Sequence, residues 1–343
     1  RTKGAHRMKW DLILSNSFYT AISANAVAYI LVASGLNVHF GYTGLLNFGQ
    51  AGFAAIGAYS LSIPISRYDW PWPLAVLMVV VSSVILALLL GIPTLRLRAD
   101  YLAIVTIAVA EIIRLFMNSV RFTWLTGGND GLQGFTRFME NINPFPDDGI
   151  TLWAQKVDGY RLWLLVTGWI LVALVSTGIW ALMRSPWGRV LKSIREDEDA
   201  ARSLGKNIFA YKMQSLIIGG FVGALGGMWL VLDKQSSQPQ DFSTTFTFFA
   251  YTIIILGGIA RAKGPVIGTM IFLFVIQFVD ITLQQATRTT PTDPTPLLPE
   301  WIVDENNFSQ VRFIVAGLAL AILVIVRPQG IFGDKREQAF DVR

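Results

Sequence analysis

Few residues in this chain are equipped for chemistry, and most of them lie in apolar surroundings. Glu111 and Arg114 stand three positions apart inside the apolar run 101–118. That spacing puts a carboxylate and a guanidinium on one helical face, where they can pair. A lone charge at membrane depth costs about 2.5–3.5 kcal/mol on insertion scales. Mutual neutralisation, as a structural ion pair turned toward neighbouring helices, is therefore the preferred reading. A lining group of a solute path or a proton relay is the other; a relay needs further titratable partners at depth, and none is nearby. Asn47 and Gln50 carry side-chain amides in a Gly-rich apolar stretch. Helix–helix hydrogen bonding and a polar path explain them equally well, and both readings stay open. The two histidines, His6 and His39, are far apart and form no ligand-like pattern, so solvated or capping roles fit better than metal binding. There is no cysteine, hence no thiol catalysis, disulfide or Cys-based metal site. The chain has no G-x-x-x-x-G-K-[ST] phosphate loop, and "TGGNDG" (126–131), Gly-rich but without a following Lys, reads as a capped loop. What remains is charge pairing, hydrogen bonding and binding. No cluster for bond chemistry is present, so the chain is not read as an enzyme and no bound cofactor or metal is expected.

The elements that must position these residues follow from composition. Hydrophobic residues make up 53% and charged ones 15%, where a soluble domain carries about 25% charged. Mean hydropathy is +0.49. An integral membrane protein follows, and helices of about 20 apolar residues are the favoured way to cross ~30 Å of hydrocarbon. The apolar runs predict spans over 12–35, 43–65, 73–95, 101–118, 162–183, 213–232, 246–259, 265–284 and 311–326. The fold class is thus all-α: a polytopic membrane bundle of roughly 8–10 transmembrane helices, read as one transmembrane domain over 1–343.

The net charge of +5 reflects topology rather than nucleic-acid binding. Arg96 and Arg98, the cluster from Arg184 to Lys212, the Arg261–Lys263 turn, and Arg327, Lys335 and Arg336 alternate with loops poorer in Lys and Arg. By the positive-inside rule these basic loops, and with them the C-terminus, lie in the cytoplasm. The front end breaks the parity, because Arg1, Lys3, Arg7 and Lys9 precede the first span. That span is too long for a cleavable signal. Either a helix precedes Arg1, or the second span is broken at Gly41, Gly44, Gly49, Gly52 or Gly57. Non-helical backbone is tolerated at depth where protein or a water-filled cavity covers it. Trp70, Trp72, Trp153, Trp163 and Trp187 fall near predicted interfaces, as an aromatic belt does. Gly219, Gly223 and Gly227 repeat every four residues in the sixth span, and Gly257, Gly258, Gly264 and Gly268 flank the basic turn. Small residues at this spacing let helices approach closely, which is preferred over direct substrate contact.

One polar insert, "SPWGRVLKSIREDEDAARSLGKN" (185–207), interrupts the apolar runs. Ser185 suits an N-cap and Pro186 the first helical position. Val190, Leu191 and Ile194 share one face. Asp197, Glu198 and Asp199 suit the start of a second short helix, and Gly205 and Asn207 its stop. The consecutive acids 196–199 disfavour a helix lying on an anionic leaflet; a protein partner fits better.

Within that insert "DAARSLG" (199–205) resembles the E-A-A-x-x-x-G signature of ABC-importer permeases, with Asp for Glu at its start. "GLNVHFGYTGLLNFGQAGFAAIGAY" (35–59), "TGGNDGL" (126–132), "LGGIARAKGPVIGTMI" (256–271) and "RPQGIFG" (327–333) resemble, in order and spacing, the longer permease subunit of branched-chain amino-acid importers. The resemblance implies a short cytoplasmic coupling-helix pair that docks on an ATPase, with Arg189, Arg195, Asp199, Ala200, Ala201 and Gly205 as its contact residues. It implies as partners a second, related permease, two cytoplasmic ATP-binding cassette subunits and an extracytoplasmic substrate-binding protein, within a bacterial inner membrane. ATP and Mg would be used by the partner subunits. Importers of urea and short amides use related permeases, and an ion-coupled secondary transporter is the rival class. Asn47, Gln50, Glu111, Arg114, Gly219, Gly223 and Gly227 are the residues expected in the pathway or in helix packing.

Overall fold

The computed structural model describes residues 9–96, 99–146, 148–152, 155–287 and isolated helical positions between 311 and 325. The stretch "RPQGIFG", His6, Arg98 and Trp153 fall outside the described residues, as does most of the span expected over 311–326.

Most of the helices are apolar runs, two of them with an internal proline at Pro64 and Pro93, and the polar insert adds two more. In chain order they are α1 (Trp10–Ile22), α2 (Ala24–Leu36), α3 (Gln50–Tyr68), α4 (Trp72–Thr94), α5 (Ala99–Met117), the short α6 (Thr123–Thr126) and α7 (Arg137–Ile142), and α8 (Gly159–Arg184). After these come α9 (Pro186–Glu196), α10 (Glu198–Ser203), α11 (Ile208–Lys234), α12 (Thr244–Gly257) and α13 (Gly264–Thr287). Two small antiparallel ladders tie the loops: β1 (Leu132–Gln133) with β4 (Ser236–Ser237), and β2 (Ile150–Leu152) with β3 (Gln155–Val157). Among the described residues five helices are long and apolar enough to cross a membrane, or six if the bent Tyr101–Met117 and Val120–Thr126 pair is one span. The third to eighth expected spans coincide with α4, α5, α8, α11, α12 and α13 to within a few residues.

At the front one expectation is corrected, and one of the two open alternatives is met. The first span is not continuous: Ser23 is extended (ψ 170°) and its hydroxyl accepts from the Ala26 N–H, so it caps α2 and ends α1. At 13 residues, α1 is about 20 Å long, short of the ~30 Å hydrocarbon core. The second span is broken. Residues 37–42 form a single π-helical turn, 44–49 are non-helical, and helix resumes only at Gln50. Gly44 takes φ +75° in this segment, a conformation that a side chain disfavours.

The core is the trio α2, α3 and α11. Within the apolar 18-residue stretch of the Ala24–Tyr42 and Ile208–Lys234 spans 83% of residues are buried, against 39%, 28% and 33% in the corresponding stretches of α4, α8 and α13. Small residues make this possible. A Cβ on Gly219 would overlap the Gly35 carbonyl oxygen and the His39 ring; one on Gly223 would overlap the Gln50 amide. One on Gly227 would overlap the Ala54 carbonyl oxygen, and one on Gly57 that of Ala224. These pairings run α2 antiparallel and α3 parallel to α11. The π-turn and the segment 44–49 therefore lie at the end of the bundle where α11 begins, next to α9 and α10.

Candidate functional site

The polar insert folds as a two-helix elbow, and its local chemistry explains each end. Ser185 accepts from the Gly188 N–H at 3.5 Å, and Pro186 occupies the first turn of α9. Asp197 is extended and accepts from the Ala200 N–H at 2.9 Å, which starts α10. Gly205, at φ +76°, turns the chain away. Asn207 does not stop α10 as the sequence suggested. It accepts from the Ala210 N–H at 3.1 Å and starts α11.

Leu191 and Ile194 are buried and Val190 is half-buried, so α9 presents its apolar face inward. Ala201, also buried, packs with Ile194 and Ile208 and closes the elbow against α11. The outer face carries Arg189, Asp199, Ala200, Arg202 and Gly205, all exposed. Leu204 is 79% exposed at the tip; sequence reasoning passed over this apolar residue, whose signal was its place beside Gly205 in a charged run. Arg202 pairs with Asp199 (3.0 Å) and Glu198 (3.3 Å), and Lys212 reaches Glu198 at 2.5 Å, which fastens α10 to α11.

Arg195 connects this elbow to the bundle. Its Nη1 donates to the Gly41 carbonyl at 2.6 Å, inside the π-turn, and its Cγ lies against Gly44. Lys192 sits 6.0 Å from the Tyr42 ring, and Trp187 Nε1 donates to Gln214 Oε1 at 2.7 Å. Beside these contacts a cleft of about 1020 Å³ opens between Gly44, Arg96 and the elbow, bordered by Arg195, Lys206 and Lys212.

Behind the π-turn a buried polar network holds the non-helical segment. His39 Nε2 meets the Leu216 carbonyl at 3.1 Å, and Asn47 Nδ2 meets His39 Nδ1 at 3.0 Å. A carbonyl can only accept, so Nε2 carries the proton and Nδ1 accepts from Asn47. The Asn47 carbonyl oxygen in turn accepts from the Gly49 N–H at 2.8 Å, and the Tyr251 hydroxyl donates to the Asn47 backbone oxygen at 3.0 Å. The Thr43 and Ser215 hydroxyls lie 2.7 Å apart and 3.0 and 3.2 Å from the Val38 oxygen; with one proton apiece, one donates to the other, which donates to Val38. Asn37 donates to Arg261 O and accepts from the Ala260 N–H, each at 3.0 Å, which ties the π-turn to the 258–263 turn. Gln50 donates to Val32 O and Gly219 O at 3.3 Å, bridging α2 and α11. His39 is thus neither solvated nor a cap, contrary to the sequence reading. It is fully buried, and its partner lies 177 residues away in the chain.

Glu111 and Arg114 form a bidentate pair on α5, Nε to Oε2 at 2.9 Å and Nη2 to Oε1 at 2.5 Å. They lie well apart from the elbow and border a separate cleft of about 430 Å³ with Gln240, Ser243, Thr244 and Thr245. The structure therefore brings Asn47, Gln50, Gly219 and Gly223 into one buried region, hangs Arg195 beneath it, and leaves the ion pair at a second place.

Comparison with known proteins adds the family. Residues 18–301 match the family model described as the permease component of the branched-chain amino acid transport system. The high-affinity branched-chain amino acid transport system permease protein LivM of Salmonella typhimurium is 27% identical over 96% of this chain and 73% of its own length. Its Escherichia coli counterpart is 28% identical over the same shares. A probable branched-chain amino acid transport permease protein LivM of Methanocaldococcus jannaschii is 24% identical over 90% of this chain and 91% of its own.

Proposed function

Because the chain belongs to the family of permease components of branched-chain amino acid transport systems, we propose that it is one transmembrane half of an ATP-binding cassette importer for branched-chain amino acids. The family match along 18–301 supports the class. The observation that carries the mechanism is the elbow: two capped helices with a buried apolar face, an exposed polar face, and one guanidinium reaching into the π-turn.

In this reading the elbow end of the bundle faces the cytoplasm, as the positive-inside rule requires, and the C-terminus lies on the same side of the bacterial inner membrane. A cytoplasmic ATPase holds the outer face of α9 and α10 around Arg189, Asp199, Ala200, Leu204 and Gly205. A second ATPase holds the related permease, and an extracytoplasmic binding protein delivers the solute. ATP and Mg are consumed by those partners. This chain contributes no bond chemistry. It transmits displacement from α9 through Arg195 to Gly41 and Gly44, and so to the segment held by His39 and Asn47. The bundle shifts between outward- and inward-open states only as far as the ATPases bind one state better than the other.

The test is uptake into proteoliposomes holding this chain, the second permease, both ATPases and the binding protein. ATP-dependent leucine uptake, competed by isoleucine and valine but not by urea, is the expected result. Uptake by this chain alone on an ion gradient, or competition by urea alone, would overturn the reading.

A further inference from the structure

The face of α5 that carries Glu111 is exposed and otherwise apolar. Ile104 and Leu115 are 63% and 52% exposed, and with Ala108 and Glu111 they form one stripe at helical spacing. A charged pair in such a stripe is costly against hydrocarbon. It is tolerated where water or a partner covers it. The cleft beside the pair is polar: Gln240, Ser243, Thr244 and Thr245 face Glu111 and Arg114 across it. Among the described residues the hydroxyls of Ser243, Thr244 and Thr245 have no hydrogen-bond partner, and neither has Arg114 Nη1. Gln240 is held in place by its bond to Asn129. The volume, about 430 Å³, lies within the roughly 300–1,000 Å³ of small-molecule sites. One helical turn along α12 from Thr244 stands Phe248, 50% exposed and packed against Phe48 at 5.7 Å between ring centroids.

The geometry points to a zwitterion subsite: Arg114 and Glu111 receive the α-carboxylate and α-ammonium of a passing amino acid, whose apolar side chain lies toward Phe248. This rests on the importer reading and deepens it by naming which part of the solute the chain touches. Two features suit a passing ligand. Arg114 spends Nε and Nη2 on Glu111, which leaves Nη1 for a carboxylate. The Glu111 oxygens each keep a lone pair for an ammonium. Because the pair already neutralises itself, an incoming zwitterion completes a four-charge array without leaving an unpaired charge on departure. Binding is therefore weak and readily reversed. A neutral amide such as urea has no charges to complete the array.

The experiment uses the complete reconstituted importer and photo-leucine, a zwitterion with a photoreactive apolar side chain, followed by peptide mapping. Label on α5 near residues 108–115 and on α12 near residues 244–248, displaced by excess leucine and not by urea, is expected. Glu111→Gln together with Arg114→Gln removes both charges without stranding either in the membrane. This double variant should cut that labelling at least tenfold. Should leucine uptake proceed with no label on these two helices, or should the double variant label like the unaltered chain, the subsite is wrong and the importer reading stands. Absence of leucine uptake in the complete assembly would instead remove the reading beneath it.

Discussion

At the scale of single residues, steric fit and buried hydrogen bonds decide the outcome. Gly227→Ala would drive a Cβ into the Ala54 carbonyl oxygen, a backbone atom with little room to move. Overpacking of that kind costs about 1–3 kcal/mol. A Cβ at Gly178 meets nothing within 4 Å. The thermal midpoint of the detergent-purified assembly should fall for Gly227→Ala and stay level for Gly178→Ala. His39→Leu leaves Asn47 Nδ2 without its partner and takes the second hydrogen bond from the Leu216 carbonyl, at about 1–3 kcal/mol for the buried unmet amide. The same melting measurement should show a drop at least as large as that of Gly227→Ala. Sequence alone marked Asn47 and Gln50 as amides in need of partners, because an amide in an apolar run is locally conspicuous. It could not supply the partners. His39 had no visible reason to be buried, since Leu216 and Asn47 meet it only once α11 packs against the π-turn.

Elements divide along the same line between local and tertiary causes. The elbow was legible because its signals are local: Ser185 and Pro186 open α9, Asp197 caps α10, and apolar residues fall at 190, 191 and 194. The break at Ser23 was not, since the run 12–35 scatters four serines, Ser15, Ser17, Ser23 and Ser34, and nothing local marks one of them as the break. The break at 44–49 was partly legible from its glycines, but its ends depend on Thr106 and Thr247. These hydroxyls accept from the Phe48 and Ala51 N–H groups at 3.0 and 2.9 Å and replace lost helical bonds. The link between the two elements is Arg195. Arg195→Gln shortens the reach to Gly41 and removes the charge. Uptake per ATP hydrolysed should fall severalfold while the ATPases still co-purify with the assembly. Loss of the ATPases from the preparation would instead place Arg195 in the docking surface.

For the whole molecule the claim is one of sidedness and of borrowed energy. The absence of cysteine makes sidedness directly measurable. Ser203 on α10 and Asn141 on α7 are both exposed. Ser203→Cys should react with an impermeant maleimide only from the cytoplasmic face, and Asn141→Cys only from the opposite one. The apolar runs made the helical membrane class plain, and the small-residue spacing of α11 hinted at its central place. That α2 and α3 enclose α11 depended on tertiary packing. The most direct test of the account couples motor to solute: leucine imported per ATP hydrolysed in proteoliposomes of the complete assembly, with and without Ala201→Asp. Ala201 is 2% exposed between Ile194 and Ile208, so a carboxylate there must push α10 away from α11. The account expects import to collapse while any remaining hydrolysis runs idle or the ATPases detach. Import still tightly coupled to hydrolysis, with the ATPases bound and the elbow demonstrably displaced, would contradict it.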